Sequence, residues 1–362
     1  MFDQGLLTRS RPNILVVGAV KILAIQFRYL GDAVLMTPAL RALAQQFPSI
    51  ELHVAVAAEV APVLEHLPWL KRVWALPRVR GNATALKTRP VIRALRQERF
   101  DRSVDFSGND RSAIISLLCG ARDRLGPSRK RGFLGHKFCY TQTIELSKGG
   151  HQTGPNLQLL RDWGITPPEP PQIEIRADPA RAGLAEQLLP RPAILCHVAT
   201  SQSKKDWPIT HWAELYRLAT GLGLPLMFSS GVAPREQKLL EELKTLVPDA
   251  PALPTLPDLA TFLAVLARAR LVVCGCTGPL HFAAALGVPT IGLFGPSSAS
   301  LWAPLGEPHR ALQAPDCSCG SDTSVCVSAA HCIAKISPEA VVRFVLQALD
   351  ANEMSRSSPI DY

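Results

Sequence analysis

A chain of 362 residues is too long for one ordinary core and suits two domains, and its 47% hydrophobic and 19% charged residues are globular values. No window holds about 18 uninterrupted apolar residues, which argues against a spanning helix. Nine cysteines, an odd number, argue against a disulfide framework and for reduced thiols in a cytosolic setting. The net charge of +9 is lopsided: residues 1–150 hold 23 Lys and Arg against 11 Asp and Glu, and the remainder holds 16 against 19, so an anionic partner is expected on the N-terminal half.

The N-terminal part holds one apolar stretch, "ILVVGAVKILAIQ" (14–26), which Gly18 and Lys21 interrupt and which "FRYLGDA" follows as a poor cleavage site. It reads as a leader running into a first buried strand, with an interfacial anchor as the alternative. "KILAIQ" (21–26) is that strand, and "AVLMTPALRALAQQF" (33–47) has helical apolar spacing. "LHVAVAA" (52–58) predicts the next strand, "VAPVLEHLP" a short helix, "RSVDFS" (102–107) a further strand and "DRSAIISLLCG" a helix. Such alternation predicts a mainly parallel sheet covered on both faces. Two basic stretches, 78–99 and 122–137, lack a recognition module and interleaved aromatic residues. They fit a phosphorylated glycolipid or a membrane face better than nucleic acid.

"ITPPEPPQIEIRADPA" (165–180) breaks the pattern, because Pro167, Pro168, Pro170 and Pro171 favour an extended connector. The boundaries drawn from it are an N-terminal domain over 1–166, a linker over 167–180, a C-terminal domain over 181–336 and a terminal helix and tail over 337–362. Alternation then restarts: strand "PAILCHVA", helix "THWAELYRLATGLG", strand "LPLMFSSG", helix "PREQKLLEELKTL", helix "DLATFLAVLARA", strand "LVVC", helix "LHFAAALG" and strand "TIGLFG". "SPEAVVRFVLQALD" (337–350) closes the series as a capped helix. The fold class is therefore α/β, with two Rossmann-like domains of mainly parallel strands facing across a cleft. Ligands belong at the carboxyl ends of the strands. Cys317, Cys319, Cys326 and Cys332 lack paired C-x2-C knuckles and read as loop thiols rather than a zinc site.

Three polar constellations sit where strands end. After strand 271–274, Thr277, Gly278 and Pro279 open a helix with His281 one turn in; free N–H groups and the helix dipole suit an anion. A plain cap with a packed histidine is the structural alternative. In "ATSQSKKDWP" (199–208), Thr200, Ser201 and Lys205 form a cationic hydroxyl loop suited to a diphosphate, or simply a solvated loop. In "FRYLGDAVLMTP", Asp32 follows Gly31 at a helix start, as an N-cap or as a general base that the helix end would keep ionised. Neither G-x-x-x-x-G-K-[ST] nor G-x-G-x-x-G occurs.

"FRYLGDAVLMTPALRAL", "ATSQSKKDWP…HWAEL", "FSSGVAPREQ", "CTGPLHFAAALGVPTIGLFGP" and "CIAKISPEAVVRFVLQAL", in that order over about residues 21–350, resemble glycosyltransferase family 9, the ADP-heptose:lipopolysaccharide heptosyltransferases. "FRYLGD" with "DFSGNDRSA" is nearest the branch that adds a third inner-core heptose. The resemblance implies a GT-B fold and an inverting, metal-independent transfer, with ADP-heptose as co-substrate, no cofactor and no nucleic-acid partner. It implies Asp32 as general base. Donor contacts would come from Thr200, Ser201, Lys205, Glu236, Cys276, Thr277, Gly278, Pro279 and His281, and acceptor contacts from Arg28, Asn109 and Arg111. It places the protein in the cytoplasm, peripheral to the inner face of the inner membrane, where a phosphorylated lipopolysaccharide core is the acceptor. The departure is Cys276, where the family usually has Asp. A different nucleotide sugar, a protein acceptor or a non-catalytic sugar-nucleotide or glycolipid binder are the alternative readings.

Overall fold

The computed structural model describes residues 20–357 apart from 47–48, 78–82, 129–131, 134, 148, 168 and 316–330. The front lobe runs β1 (Val20–Gln26), α1 (Leu30–Leu35), α2 (Thr37–Gln46), β2 (Ile50–Ala57), β3 (Arg72–Leu76), α3 (Ala83–Gln97), β4 (Arg102–Asp105), α4 (Asp110–Leu118), β5 (Asp123–Pro127), β6 (Gln142–Ile144) and α5 (Thr153–Asp162). The rear lobe runs α6 (Ala182–Leu188), β7 (Ile194–His197), α7 (Ile209–Gly221), β8 (Leu226–Ser229), α8 (Pro234–Leu246), α9 (Leu259–Arg268), β9 (Leu271–Gly275), α10 (Gly278–Ala285), β10 (Thr290–Phe294), α11 (Ala299–Trp302), β11 (Arg310–Gln313) and α12 (Pro338–Ser357).

Both sheets are parallel throughout, in the orders β3-β2-β1-β4-β5-β6 and β11-β10-β9-β7-β8. Strands buried on both faces read as continuous apolar runs, and β1, β7, β9 and β10 do so. Each order reverses once. In the front sheet the reversal lies between β1 and β4, and in the rear sheet between β7 and β9. A crevice opens at such a point, outside the carboxyl ends of the two strands. The loops that follow these four strands are therefore the ones placed to hold ligands.

Several elements depart from the sequence expectation. The helix expected over 33–47 begins earlier, at Leu30, and breaks at Met36. Pro38 has no N–H to continue the ladder and is tolerated only in the first turn of α2. The helix expected at 60–68 is a 3-10 turn, Ala58–Val63, with Pro62 inside it. β3, α3, β5, β6, α5, α6, α11 and β11 were not anticipated. Cys317, Cys319 and Cys326 lie outside the described residues, and Cys332 is buried.

The lobes are joined by packing as well as by chain. Helix α1 packs on α10, and α9 on the 58–63 turn. The extended stretch before α6 lies between them: the Glu174 carboxylate accepts from Arg41 at 2.8 Å and from Trp69 at 2.7 Å, while the Ile175 N–H donates to Ala285 at 2.9 Å. Within the front lobe, Gly126 gives its place to the Tyr140 ring, which a Cβ there would strike. Gly126→Ala is expected to cost about 1–3 kcal/mol in denaturant unfolding, the usual penalty of overpacking.

Burial also sets a pH limit. His197, bonded to the Ser229 hydroxyl at 3.0 Å, His281 and His309 are pushed from the ordinary 6.5 down to about 4. They are neutral in the fold and take up protons far more readily once unfolded. Their contribution to stability is complete above about 6.5 and is lost as pH falls toward about 4, by up to about 2–3 kcal/mol each. A melting temperature that falls across this window, less steeply in His197→Gln, is the expected result.

Candidate active site

At the front-lobe switch point, β1 ends in Gln26 and β4 leads into Phe106 and Ser107. Here a pocket of ≈ 220 Å³ opens, lined among others by Gln26, Arg28, Asp32, Ser107, Gln152 and Asn156. Its polar wall is built by a buried network. Asp105, wholly buried, accepts from the Ser107 and Gly108 amides at 2.8 and 3.0 Å and from the Tyr140 hydroxyl at 2.6 Å. Ser107 Oγ donates to Gln26 Oε1 at 2.8 Å, and the Ser107 carbonyl accepts from Arg28 Nε at 3.0 Å. Arg28 is thereby held beside Asp32.

Asp32 lies in the first turn of α1, where its Oδ2 accepts the Tyr29 N–H at 3.2 Å. The sequence suggested that the helix end would favour the charged form. In the fold, burial dominates and raises its pKa, while Arg28 and the Tyr29 and Asp32 amides pull it partly back. A half-buried carboxylate with a raised pKa, open to a pocket, is suited to accept a proton.

At the rear-lobe switch point the two loops interlock. A Cβ on Gly275 would stand 2.8 Å from Thr200 Cγ2 and 3.1 Å from the Lys205 carbonyl, so the end of β9 and the loop after β7 meet there. Thr200 is buried, and its N–H and Oγ1 donate to Asp206 Oδ1 at 2.7 and 2.8 Å. Arg235, at the start of α8, pairs with Asp206 and donates to the Thr200 carbonyl. Thr200 therefore shapes the loop, while Ser201 is exposed and Lys205 half-buried. Thr277 is the N-cap of α10 in extended conformation, with no side-chain cap hydrogen bond. Thr277, Gly278 and Pro279 are all partly exposed, and Cys276 beneath them is 8% exposed. Glu236 folds back at the start of α8, accepting from the Ala233 N–H at 3.4 Å, where a Cβ on Gly231 would collide with it.

The two halves meet at His281. Its ring packs over Gly31, where a Cβ would stand 3.2 Å from Cδ2, one residue from Asp32. Burial, with His151 and Lys205 nearby, keeps it uncharged, so it offers a neutral imidazole rather than a cation. Trp302 lies 6.3 Å away, ring to ring. His151 Nε2 bonds the Ala303 carbonyl at 2.9 Å and the Gln152 N–H donates to Leu301 at 3.0 Å, which ties the pocket wall to the rear lobe. With Nε2 on a carbonyl, the proton sits there and Nδ1 accepts from Thr153.

Asp32, Arg28, Thr200, Lys205, Cys276, Thr277, Gly278 and His281 thus come to one interlobe region. Asn109 and Arg111 do not line the pocket. Asn109 caps α4, accepting from Ser112 at 3.0 Å, and Arg111 donates to the Pro77 carbonyl at 2.8 Å with its guanidinium 4.5 Å over Phe27. Both brace the turn that presents Arg28. Gln26, Ser107, Gln152 and Asn156 were missed. Gln26 and Ser107 sit at strand ends that the switch-point rule would have marked, whereas Gln152 and Asn156 arrive from a segment without a motif. Among the described residues no cluster of three or more His, Cys, Asp or Glu is arranged to hold a metal ion.

Comparison with known proteins agrees with this arrangement. Residues 88–330 match the family model of glycosyltransferase family 9 (heptosyltransferase). Lipopolysaccharide heptosyltransferase 1 of Pseudomonas aeruginosa is 28% identical over 296 residues, 77% of this chain and 79% of that protein. A family 9 glycosyl transferase structure from Veillonella parvula superposes with a TM-score of 0.79 at 20% identity, covering 92% of this chain and 97% of that one. The E. coli heptosyltransferase WaaC with ADP-2-deoxy-2-fluoro heptose gives 0.70 at 22% identity, covering 91% and 99%. Two parallel sheets whose switch points face one another are the GT-B arrangement of these structures. A family match over well more than half its length makes this chain a member of glycosyltransferase family 9, the heptosyltransferases.

Proposed function

We propose that the protein transfers heptose from ADP-heptose to the inner core of lipopolysaccharide, with inversion and without a metal ion, working peripherally at the cytoplasmic face of the inner membrane. The observation that carries this reading is the packing of Gly31 on His281, which sets the Asp32 pocket against the Lys205 and Thr277 loops. The acceptor hydroxyl lies in the pocket and gives its proton to Asp32 as its oxygen bonds to the anomeric carbon. The bond from that carbon to the diphosphate breaks on the opposite face, and its electron pair leaves with ADP. Lys205, the open first turn of α10, the Thr277 hydroxyl and the neutral imidazole of His281 receive the developing charge. Ser201 and Glu236 complete the donor side, Glu236 toward the nucleoside. Arg28 serves a phosphorylated acceptor. The relatives support the chemistry: one is named for lipopolysaccharide and another was solved with an ADP-heptose analogue. Among the described residues no helix is long and apolar enough to cross a membrane.

Mass spectrometry of the lipopolysaccharide core from a deletion strain tests the proposal. A core lighter by one heptose, restored by the wild-type gene and not by a folded Asp32→Ala variant, is expected; an unchanged core overturns it. Loss of the third inner-core heptose is the specific expectation. The thiol of Cys276 is a poor hydrogen-bond partner at a position where the family resemblance implies a carboxylate. Cys276→Asp is expected to change donor affinity or sugar preference in competition assays, and an unchanged profile would assign the position no role in donor choice.

A further inference from the structure

Away from the interlobe site, the front lobe shows apolar side chains to solvent in one neighbourhood. On α4, Ile114 and Leu117 are 42% and 43% exposed; beside it, Phe133 and Phe138 are 41% and 70% exposed. Helix α4 packs on the 3-10 turn His136–Cys139 through Ala113, Cys139 and Tyr140. Phe133 stands edge-on to His136 at 5.8 Å, and Lys137 Nζ lies 5.1 Å from the Phe138 ring centre.

Cations flank this strip. Arg89, Arg93 and Arg96 are exposed at i, i+4 and i+7 on α3, which packs on α4. A Cβ on Gly120, just beyond the end of α4, would stand 3.6 Å from Arg96 Cγ. Arg122 and Lys137 are exposed as well. Strand β5 runs from this region to Pro127 and Ser128, which line the Asp32 pocket, and Gly126 on it receives Tyr140. The patch and the pocket are thus two ends of one structural unit.

Exposed aromatic and aliphatic side chains bordered by arginines make an amphipathic face without a protein partner among the described residues. Interfacial binding draws on both features, apolar area entering the headgroup boundary and cations attracted to anionic lipid. We infer that the α3–α4 face, with Phe133 and the His136–Cys139 turn, docks on an anionic lipid bilayer and so brings the pocket mouth to a membrane-borne acceptor. The inference rests on the reading of that acceptor as a lipid, but its test requires no sugar transfer.

Co-sedimentation of the full chain with phosphatidylcholine vesicles, with and without phosphatidylglycerol, reads the docking directly. Anionic vesicles are expected to bind at least about tenfold more protein than neutral ones, less as salt is raised. Leu117→Ser with Phe138→Ser is expected to cut binding by about tenfold or more. Arg93→Glu with Arg96→Glu is expected to abolish the preference for anionic lipid. Both pairs should retain transfer to a delipidated core acceptor and lose it to the lipid-linked core embedded in vesicles. Val232→Ser with Leu246→Ser, exposed apolar positions on α8 and the loop before it, controls for general stickiness and should bind as wild type. No binding, equal binding to both vesicle types, or variants that bind like wild type would overturn the proposal. So would a wild-type dimer that Phe138→Ser converts to monomer, because a second copy would then own the face. Vesicle binding without any transfer activity leaves the docking face standing and removes the enzymatic reading; transfer without vesicle binding does the opposite.

Discussion

Asp32→Asn is expected to lower transfer by about 10²- to 10⁴-fold, the range for a lost general base, with donor affinity unchanged. The substitution keeps shape and the Tyr29 hydrogen bond while removing the proton acceptor. The pH profile gives an independent check. A protonated carboxyl cannot take the acceptor's proton, so the wild-type rate rises with pH as Asp32 ionises. Burial raises the Asp32 pKa, so this rise falls above the ordinary carboxylate value of about 4. Asp32→Asn should show no such limb. A variant as fast as wild type would assign the proton to another group.

Lys205→Ala is expected to reduce transfer by about 10²- to 10³-fold, the scale of losing one preorganised donor to a developing charge. His281, held neutral, cannot substitute as a cation, and Arg235 is committed to Asp206 and the Thr200 carbonyl. On the proposed reading, the compact ammonium of Lys205 is then the positive charge behind the diphosphate. The loss should fall mainly on kcat, since charge grows as the bond to the sugar breaks, and single-turnover kinetics on saturating donor would measure it. An effect confined to KM would mean that Lys205 only holds the ground-state nucleotide.

Central strands were legible because burial on both faces forces apolar runs: 21–26, 271–274 and 290–295 fall within a residue of β1, β9 and β10. Helix α8 was legible to the residue, as Pro234 marks its start. The strand β5 and the edge strand β6 were not, because "DRLGP" and "QTI" are short and carry Gly, Pro and polar residues. Helix α3 was hidden by the arginines on its solvent face. In the site, residue types at strand ends gave Asp32, Lys205, Thr277 and His281. Their convergence depended on contacts between lobes that no local pattern encodes. The hydroxyl of Thr200 looked unengaged in sequence, but in the fold it donates to Asp206, six residues on, a contact no local pattern marks.

The strip between the lobes has a consequence for the order of events. Ile175 is bonded to the last turn of α10, and the next residue back, Glu174, grips Arg41 and Trp69 on the acceptor side. A ligand that shifted α10 would load this strap and be felt at Arg41 and Trp69. Thermodynamic linkage then requires the reverse: whatever the donor does to acceptor affinity, the acceptor does to donor affinity by the same factor. By that linkage, ligands of the two lobes would bind as a pair rather than separately.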